Sequence, residues 1–438
     1  MILSSILARM PPGLSPMYQM GDIWGGWSSS SGKTVTVENA KNIATAYRCI
    51  NVLSDDVAKI PLYTYKSPSR FQIDRIMPDA AMENIAWLLE VSPNRYMSPF
   101  IFKKSLIEWL LGWGMSFIWA PPPHGANRRE LFILRGDCTL PYYDENGNLW
   151  YRTAFNNGEI SYLPSVEVLP LLINSLDGIF GRSVVEFARE SIGRQLGAYE
   201  TQGNMYKQGL NPAGIITVAG EASPEARDKI RTEFENRMGG SQNAYRLAVM
   251  DSKVQKFEAI TMKPIDIQFL QGISATDVEI CNFFGVPLNK VNMGKQSYSS
   301  NEQNNLDYLG STLDPYLVQI EQAARVKWLP ESQQDAMYFK FYRKALLQID
   351  AVARANVNTK EIGMGITSPN EAREDEDKSG YTEGEKFWMS RNYSPVDNPF
   401  FSQTGEPIQG GGNNENQDQS AAGTENSTDQ GGGAGTAE

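Results

Sequence analysis

Residues 183–214 read SVVEFARESIGRQLGAYETQGNMYKQGLNPAG, and this stretch does most to decide the fold. Its apolar side chains recur every three or four residues, the period of one helical face, at Val185, Ala188, Ile192, Leu196 and Tyr199. Ser183 and Glu186 fit a capping box, in which the serine oxygen accepts from an amide of the first turn and the glutamate reaches back. Gly209 and Pro212 then stop the pattern. The stretch therefore predicts a helix of about 25 residues, about 37 Å long.

A compact α/β segment and a second long helix follow. The pattern predicts a short helix after Ser223-Pro224 and three strands, which cover residues 215–218, 247–250 and 254–260. Asp266 caps the second long helix, which Gly285-Val286-Pro287 ends. Two long helices on either side of a compact insertion are expected to pair as a stalk, with the insertion at one tip. Such a stalk exposes much of both helices unless neighbouring subunits cover them.

A polar loop separates the second long helix from a third. Residues 288–299 have no periodic apolar face, and they contain Lys290, Lys295, Gln296 and Tyr298. Ser300 and Gln303 mark a second capping box, after which the apolar pattern resumes at Leu306, Leu309, Leu313, Leu317 and Ile320. Pro315 lies inside this pattern. Because proline lacks an amide donor and clashes with the preceding turn, it predicts a kink.

The residues before the first long helix mix helices with short strands. Apolar spacing predicts a helix over residues 38–57, and residues 62–65 are typical of a strand. Ser98 caps a further helix over residues 99–111, which has proline at its first position. Over residues 117–173, short apolar runs are broken by proline and by the hairpin signal Glu145-Asn146-Gly147-Asn148, which indicates β-structure.

Both ends of the chain are predicted to be loose. Residues 1–33 are rich in Ser, Gly and Pro, and residues 401–438 hold six acids, no Lys or Arg and almost no large apolar side chain. Such a tail cannot bury enough apolar area to offset the entropy of ordering it. Before the tail, Asn358-Thr359-Lys360-Glu361 and Ser368-Pro369-Asn370-Glu371 are predicted to start two short helices.

The charge of the chain argues against a stable grip on nucleic acid. The 438 residues carry a formal net charge of −11, of which the tail supplies −6, so −5 remains for the rest. A protein that holds DNA through its phosphates should be basic somewhere, and no long run of Lys or Arg occurs. Transient passage of DNA remains open, because a conduit must not hold its cargo tightly.

The sequence does not favour an enzyme, a metal protein or a membrane protein. Its single histidine, His124, follows three prolines, and its three cysteines have no metal spacing. A hydrolase or nuclease could bind a divalent cation through Glu374-Asp375-Glu376-Asp377. Consecutive acids on a helix point in different directions, which favours a solvated charge run. No catalytic or cofactor motif occurs, and the longest apolar run, residues 109–120, is too short to cross a bilayer.

Several stretches, in a shared order from residue 34 to residue 390, resemble the HK97-type portal proteins of tailed bacteriophages. They are Ala46–Leu53, Ile60–Leu62, Leu110–Phe117, Asp177–Ser183, Gly209–Gly214, Phe284–Pro287, Leu313–Pro315 and Gly365–Arg373. Two departures occur. Gly-Met-Ser-Phe at residues 114–117 stands where Gly-Asn-Ala-Tyr is usual, and Leu169-Pro170-Leu171 stands near the place of a usual histidine.

The resemblance implies an α+β, elongated portal fold with a wing, a two-helix stem, an α/β clip, a kinked long helix and a small helical crown. The wing would be residues 34–180, the stem helices 181–209 and 266–287, the clip 210–265, and the tunnel loop 288–299. The kinked wing helix and the segment after it would be residues 300–342, and the crown 343–400. Residues 1–33 would be a flexible arm and 401–438 a disordered acidic tail. Structural roles are expected for Ser183, Glu186, Pro287, Ser300, Gln303, Pro315, Asn370 and Arg373.

The resemblance further implies a ring, usually of twelve subunits, that is not an enzyme and forms a channel for double-stranded DNA during packaging and ejection. The implied partners are other copies of the chain, the terminase large subunit, the major capsid protein and head–tail adaptor or neck proteins. No cofactor, metal or membrane is implied. The expected location is the portal vertex of the virion, after assembly in the host cytoplasm. The alternative is another virion structural protein, such as a head–tail adaptor.

The tunnel loop is the candidate site. Lys290, Lys295, Gln296 and Tyr298 are candidate contacts to the DNA backbone, and such contacts do not read bases. An ordinary solvated loop is the alternative. The charged side chains of the long helices, such as Glu190, Arg194 and Asp277, either face the channel, pair between subunits or lie on a solvated face.

Overall fold

The chain has two compact units, Met1–Gln348 and Ile349–Glu438. The structure, a computed structural model, describes residues 26–69, 72–79, 85–122, 130–155, 157–208, 214–218, 223–229, 232, 254–259, 266–293, 301–346, 351–376 and 378–388. Helices and strands alternate along the first unit, and the elements described in the second are helices. This mixture confirms the predicted α+β class.

The helices of the first unit follow the predicted order closely. They are α1 (Val37–Ala40), α2 (Ala44–Lys59), α3 (Ile85–Glu90), α4 (Pro99–Trp113), α5 (Val184–Phe187), α6 (Arg189–Gln208), α7 (Asp266–Phe284), α8 (Asn301–Tyr308) and α9 (Asp314–Trp328). A π-helical turn, Leu309–Leu313, joins α8 to α9. Single 3₁₀ turns cover Leu288–Val291, Glu331–Gln333 and Arg343–Leu346. No helix of the described residues is long and apolar enough to cross a membrane.

The described strands form small antiparallel sheets. They are β1 (Trp27–Ser28), β2 (Thr34–Val35), β3 (Leu62–Ser69), β4 (Gln72–Ile76), β5 (Met115–Trp119), β6 (Phe132–Leu134), β7 (Thr139–Tyr143), β8 (Leu149–Ala154), β9 (Ile160–Pro164), β10 (Val168–Leu172), β11 (Gly214–Val218), β12 (Val254–Ala259) and β13 (Met337–Phe341). The sheet orders are β13-β3-β4, β10-β5-β6 and β7-β8-β9, with the pairs β1-β2 and β11-β12. Phe341 lies opposite Leu62, so after α9 the chain returns to pair β13 with the early strand β3.

The hairpin signal between β7 and β8 has the turn that was predicted. Gly147 has φ of +79°, a conformation that glycine adopts without a steric penalty. The Asp144 carboxylate accepts from the backbone amides of Asn146 and Asn148, at 3.0 and 2.7 Å. The Asn148 side chain also donates to this carboxylate. That hydrogen bond first, and then those from the two amides, lower the pKa of Asp144.

The core of the first unit is built on α2 and α4. Ser98 caps α4 by accepting from the amide of Ile101 at 3.4 Å, and Pro99 follows it, as predicted. Leu53 and Val57 of α2 and Leu110 of α4 are fully buried in one cluster, to which α7, α9 and β13 also contribute. The two helices therefore form the support on which the later elements pack.

A glycine corner, Gly114 with Gly181, joins the end of α4 to the entry of α5. Gly114 ends α4 with φ of +78°, and its carbonyl accepts from the amide of Ile173 at 3.0 Å. A Cβ atom at Gly181 would overlap the carbonyl oxygen of Gly114, and one at Gly114 would overlap the backbone of Arg182. Both positions therefore require glycine, which gives a physical reason for these glycines in the stretches that carry the family resemblance.

The capping box predicted from Ser183 and Glu186 is wrong in its details. Ser183 does cap α5, by accepting from the amide of Val185 at 3.0 Å, but its hydroxyl also donates to the carbonyl of Gly112 at 2.5 Å. Glu186 pairs with Arg182 and does not reach back to the cap. The predicted single helix is also divided: Ala188, with ψ of 3°, separates α5 from α6. Tertiary contacts at the glycine corner thus replace the local cap.

Part of the predicted loose arm is a hairpin that packs on α6. Strands β1 and β2 pair, and the amide and hydroxyl of Ser30 donate to Glu190 at 3.0 and 2.6 Å. Lys33 forms an ion pair with Glu200, and a Cβ atom at Gly193 would overlap Ser29. The residues from 26 onward are therefore fixed to the first long helix.

The second unit contains α10 (Ala351–Gly363) and α11 (Pro369–Glu374). The helix start predicted at Asn358 is wrong, because that residue lies in the middle of α10. The start predicted at Ser368 is confirmed. Its hydroxyl accepts from the amide of Glu371 at 3.2 Å, and Glu371 accepts from the amide of Ser368 at 2.7 Å, which completes a capping box.

Candidate functional site

The two long helices α6 and α7 lie against each other through polar side chains. Ser191 donates to Glu279 at 2.6 Å, and Arg194 pairs with the same carboxylate. Deeper between the helices, Gln195 donates to Asp277 at 2.7 Å. For Arg194 and Asp277, the sequence left open a channel face, pairing between subunits and a solvated face. In the structure both have partners within the same chain. The pairing of two long helices, predicted from the sequence, is present between α6 and α7.

An antiparallel strand pair continues this helix pair at one end. Strand β11 follows α6 and β12 precedes α7, and Gly214 lies opposite Ala259. Residues 224–229, between these strands, are helical, and Ser223 accepts from the amide of Ala226 at 3.3 Å at their start. The predicted strand over residues 247–250 lies outside the described residues. The two ends of the insertion between α6 and α7 are therefore held together by the pairing of β11 with β12.

The other end of the helix pair leads into the candidate loop, and Gly285 makes the corner. Its φ of +67° ends α7 in the left-handed conformation that is common after a helix. Thr312, in the π-helical turn after α8, donates to the carbonyl of Gly285 at 2.7 Å. Pro287 begins the 3₁₀ turn, and its carbonyl accepts from the amide of Lys290 at 3.0 Å. The chain entering the loop is therefore tied to the chain leaving it.

A second tie, formed by Asp56, Lys290 and Tyr308, lies further along the loop. The Lys290 ammonium group is 3.9 Å from Asp56 of α2 and 5.1 Å from the ring centroid of Tyr308 at the end of α8. Asp56 is buried on α2 and also pairs with Lys59 at 3.2 Å. Burial, together with the nearby Asp56 carboxylate, raises the pKa of Tyr308, so its phenol is neutral. We call these three residues, with Gly285 and Thr312, the loop base.

Lys290, a candidate contact to DNA, has partners within the loop base. Its side chain is 28% exposed and is occupied by Asp56 and Tyr308, so it supports the loop more than it projects from it. Lys295, Gln296, Tyr298 and the cap residue Ser300 lie outside the described residues. Gln303 lies in α8, but its side chain is outside the described set.

A π-helical turn lies just before Pro315, where a kink was predicted. The amide of Asp314 donates to the carbonyl of Leu309, five residues back instead of four. Pro315 has no amide to offer to the carbonyl of Ser311, and its ring needs room in that turn. The wider π turn supplies that room, and it presents Thr312 to the loop base.

Asn370 and Arg373, both expected to be structural, hold a loop against α11 in the second unit. The Asn370 side chain accepts from the amide of Tyr381 at 3.0 Å and donates to the carbonyl of that residue at 3.1 Å. Its own amide donates to the carbonyl of Gly384 at 2.8 Å. Arg373 donates to the carbonyl of Ser379 at 2.8 Å. The two side chains fold the segment after α11 back onto the helix.

Metal chemistry finds no support among the residues that the structure describes. No group of three or more His, Cys, Asp or Glu side chains within those residues is arranged to hold an ion. Of the acidic run near α11, Glu374, Asp375 and Glu376 are described and Asp377 is not. His124 also lies outside the described ranges.

The sequence signalled some of the site and missed the rest. Tyr308 and Thr312 of the loop base had no recognisable pattern, because each contacts residues far away in the chain. Asp56 did carry a signal: it stands seven residues after Cys49, on the apolar face of α2. An acid on such a face requires a partner, and here the partners are Lys59 and Lys290.

Residues 44–377 match the family model described as phage portal protein. This chain therefore belongs to the phage portal protein family, a family of structural proteins. The match favours the portal prediction over the head–tail adaptor alternative.

Two curated relatives agree with this membership. The probable portal protein of Streptomyces phage phiC31 is 24% identical over 403 residues, which cover 87% of this chain and 83% of the relative. The portal protein of Enterobacteria phage HK97 is 22% identical over 370 residues, which cover 83% and 85%.

A solved structure has the same fold. A chain in the neck of a native gene transfer agent (GTA) particle, computed with C12 symmetry, matches with a TM-score of 0.52 and 18% sequence identity. The match covers 87% of this chain and 98% of the neck chain. The shared fold thus extends over nearly all of the solved chain.

Proposed function

We propose that this chain is the portal subunit of a tailed bacteriophage and that a ring of its copies forms the channel for double-stranded DNA. DNA would pass through the ring during packaging into the capsid and again during ejection. The observation that carries the proposal is the family match over residues 44–377. Two further observations support it: α6 and α7 pair with each other, and α7 leads into a loop that the loop base holds in place.

A ring of twelve copies is the proposed assembly. Support comes from the solved neck of the GTA particle, whose symmetry is C12 and whose chain shares the fold. The subunits would sit at the portal vertex of the virion after assembly in the host cytoplasm. Neighbouring copies would cover the exposed faces of α6 and α7, where Tyr199 and Phe283 are 37% and 46% exposed.

The proposed partners follow from the channel role. The terminase large subunit would dock on residues 210–265 during packaging, and head–tail adaptor or neck proteins would replace it afterwards. The major capsid protein would surround the ring. The chain itself would perform no catalysis, so the motor that hydrolyses ATP would be a separate protein.

The loop is proposed to meet the DNA through Lys295, Gln296 and Tyr298. Such side chains contact phosphates and sugars without reading bases, which suits a channel that must pass any sequence. Exposed ion pairs contribute about 0–1 kcal/mol each, so the duplex could slide past them. Lys290 would act from the loop base, where Asp56 and Tyr308 hold it.

The first experiment measures the assembly itself. Full-length protein is examined by mass photometry over a range of salt concentrations, and large species are averaged from negative-stain images. Rings of about a dozen copies with a central hole are expected. Compact particles without a hole at every salt concentration would overturn the channel proposal.

A second experiment tests the loop within the ring. The triple variant Lys295→Gln, Gln296→Ala, Tyr298→Ala is compared with Lys340→Gln, which removes an exposed lysine on β13. The triple variant should form rings normally but reduce the amount of DNA packaged per capsid, whereas the control should change neither. Equal packaging by both variants would remove the loop from the proposal and leave the ring.

A further inference from the structure

Two buried thiols, Cys49 and Cys281, face each other between α2 and α7. They are 232 residues apart in the chain, and their sulfur atoms are 3.8 Å apart. Both residues are 0% exposed. Cys49 lies near the middle of α2, and Cys281 lies in the last turn of α7. The pair therefore bridges the support helix of the core and the second long helix.

A polar contact one turn away fixes the register of the two helices. Thr45 donates to Asp277 at 2.5 Å, and Gln195 of α6 donates to the same carboxylate oxygen at 2.7 Å. Thr45 stands four residues before Cys49, and Asp277 stands four residues before Cys281. The two helices therefore run in the same direction here, and a slip that separated the sulfur atoms would also break the Asp277 contacts.

The surroundings keep the pair reduced until an oxidant enters. Ile280, Phe284 and Leu53, all buried, belong to the same apolar cluster as the two cysteines. The hydrogen bond to Cys281, and then burial, raise the pKa of the Cys49 thiol. The same hydrogen bond lowers the pKa of the Cys281 thiol, so Cys281 supplies the reactive thiolate of the pair. Both side chains are fully buried, so an oxidant reaches the pair slowly while the core stays closed.

We propose that Cys49 and Cys281 are a built disulfide site, which closes when the protein meets a small two-electron oxidant of the peroxide class. Each thiol loses its hydrogen and one sulfur–sulfur bond forms. Hydrogen peroxide accepts the two electrons and both protons, its O–O bond breaks, and two molecules of water result. The bond ties α7, and with it the loop base, covalently to α2. The timing rests on the proposed function: the reducing cytoplasm would keep the site open during assembly, and the bond would form after release from the cell.

The distance that closure must cover is short. A disulfide needs a sulfur–sulfur separation of about 2.0 Å, so the two side chains must approach from 3.8 Å. Side-chain rotation and a small movement of either helix would supply this approach. The bond would close a covalent loop that contains α2 to α7, and cross-links that close long loops constrain the unfolded chain most.

The third cysteine, Cys138, provides the contrast. It is partly exposed and lies beside Arg135 and Asp137. No cysteine is its neighbour within the described part of the chain. It should react first with any alkylating reagent and should form no bond within the subunit. Replacing it by Cys138→Ser removes cross-links between subunits and leaves the buried pair unchanged.

The test uses assembled full-length Cys138→Ser protein, treated with hydrogen peroxide or, in parallel, with diamide. The protein is then denatured in the presence of an alkylating reagent, digested without reduction and mapped by mass spectrometry. The expected result is one cross-linked pair of peptides containing Cys49 and Cys281, with the loss of two hydrogen atoms. The thermal unfolding midpoint should rise by several degrees and fall back after reduction.

Other outcomes overturn the proposal. One is that, after prolonged oxidation, both cysteines are still free thiols and are fully alkylated when the protein is denatured. Another is that the cross-link joins two different subunits. A non-reducing gel detects this outcome, because it separates cross-linked dimers from monomers. The Cys49→Ser variant in the same background must lose both the cross-link and the shift of the midpoint. The peptide map is made on Cys138→Ser protein, which keeps both Cys49 and Cys281. The cross-link can therefore be judged even if the Cys49→Ser variant folds poorly.

Discussion

The glycine corner and the loop base both join segments that are distant in the sequence, but they do so with different parts of the chain. At the corner, backbone meets backbone: the carbonyl of Gly114 lies where a Cβ atom of Gly181 would be. At the loop base, Asp56, Lys290 and Tyr308 meet through the ends of their side chains. A backbone contact has no room to adjust, whereas side-chain contacts can shift, so the entry to the first long helix is fixed more tightly than the loop.

The largest effect is expected at the corner. Gly181→Ala should lower the free energy of unfolding by about 3–5 kcal/mol, because the added Cβ must displace the backbone of Gly114. Urea unfolding followed by circular dichroism measures this change. Gly197→Ala is the matched control, since Gly197 lies in α6 with open space around it. The control should be neutral or stabilising by about 0.5–1 kcal/mol. Equal effects of the two variants would break the comparison.

A smaller effect is expected at the loop base. Asp56→Ala removes a buried carboxylate and leaves Lys290 without its ion-pair partner, which should cost about 2–3 kcal/mol. Hydrogen exchange of residues 288–291 should speed up more than that of α4. The double variant Asp56→Ala, Lys290→Met should recover part of the loss, because it also removes the unpaired charge. Strictly additive losses would mean that the two residues are not coupled.

Lys103 of α4 has a buried ammonium group next to the end of α2, and it makes the stability of this region depend on pH. Lys103 donates to the carbonyl of Ile60, and burial lowers its pKa to about 8. The unfolded chain therefore binds this proton more tightly than the folded chain does. Stability gained from the neutral amine is present above the unfolded pKa, falls as the pH drops from about 10.5 to 8, and is constant below that.

Lys103→Met removes this dependence. The variant should unfold with a flatter pH profile between 8 and 10.5, and it should be more stable than the parent at neutral pH by about 1–2 kcal/mol. Unfolding free energies at several pH values measure both effects. Lys104→Met is the control, because it removes the adjacent ammonium group and its ion pair with Asp55 at 2.6 Å. The same flattening in both variants would contradict the assignment to Lys103.

The smallest effect is expected between the long helices. Arg194 and Glu279 are about half exposed, so their ion pair should contribute only about 0.5 kcal/mol and should weaken with salt. A double-mutant cycle with Arg194→Ala and Glu279→Ala measures the coupling. A coupling above about 2 kcal/mol would show that this exposed pair acts as a buried one does.

Local patterns predicted the helices that carry their own signals. Ser98 and Pro99 begin α4, and Ser368 with Glu371 begins α11, because each cap is made by neighbouring residues. The second long helix also ends where Gly285 predicts. Caps, terminating glycines and periodicity together were enough to place these elements in order.

The misplaced or altered elements are those in which distant residues compete with the local pattern. Ser183 has the sequence of a capping box, but its hydroxyl also bonds to Gly112, 71 residues away, while Glu186 pairs with Arg182. Asn358 looked like a cap but lies inside α10, because a helix that is already formed overrides the preference of one residue. The fold of residues 26–35 depends on Glu190 and Gly193, which no short window includes.

The candidate site was predictable only as a polar loop with a defined start and end. Lys290 was grouped with Lys295 because both are lysines in one polar segment, and their different surroundings cannot be read from that segment. The partners of Lys290 lie 234 positions earlier and 18 positions later, at Asp56 and Tyr308. The contacts expected for Lys295, Gln296 and Tyr298 stay predictions.

Counted in residues, the π-helical turn before α9 holds one more amino acid than an α-helical turn would need. The bond from Asp314 to Leu309 spans this surplus residue, and Pro315 follows directly. Deleting any one residue between 309 and 313 would restore the ordinary spacing and drive the proline ring into the preceding turn. The helix should therefore tolerate a substitution such as Gly310→Ala, which has open space around it, far better than it tolerates a deletion. The length of this segment is thus constrained more strictly than its composition.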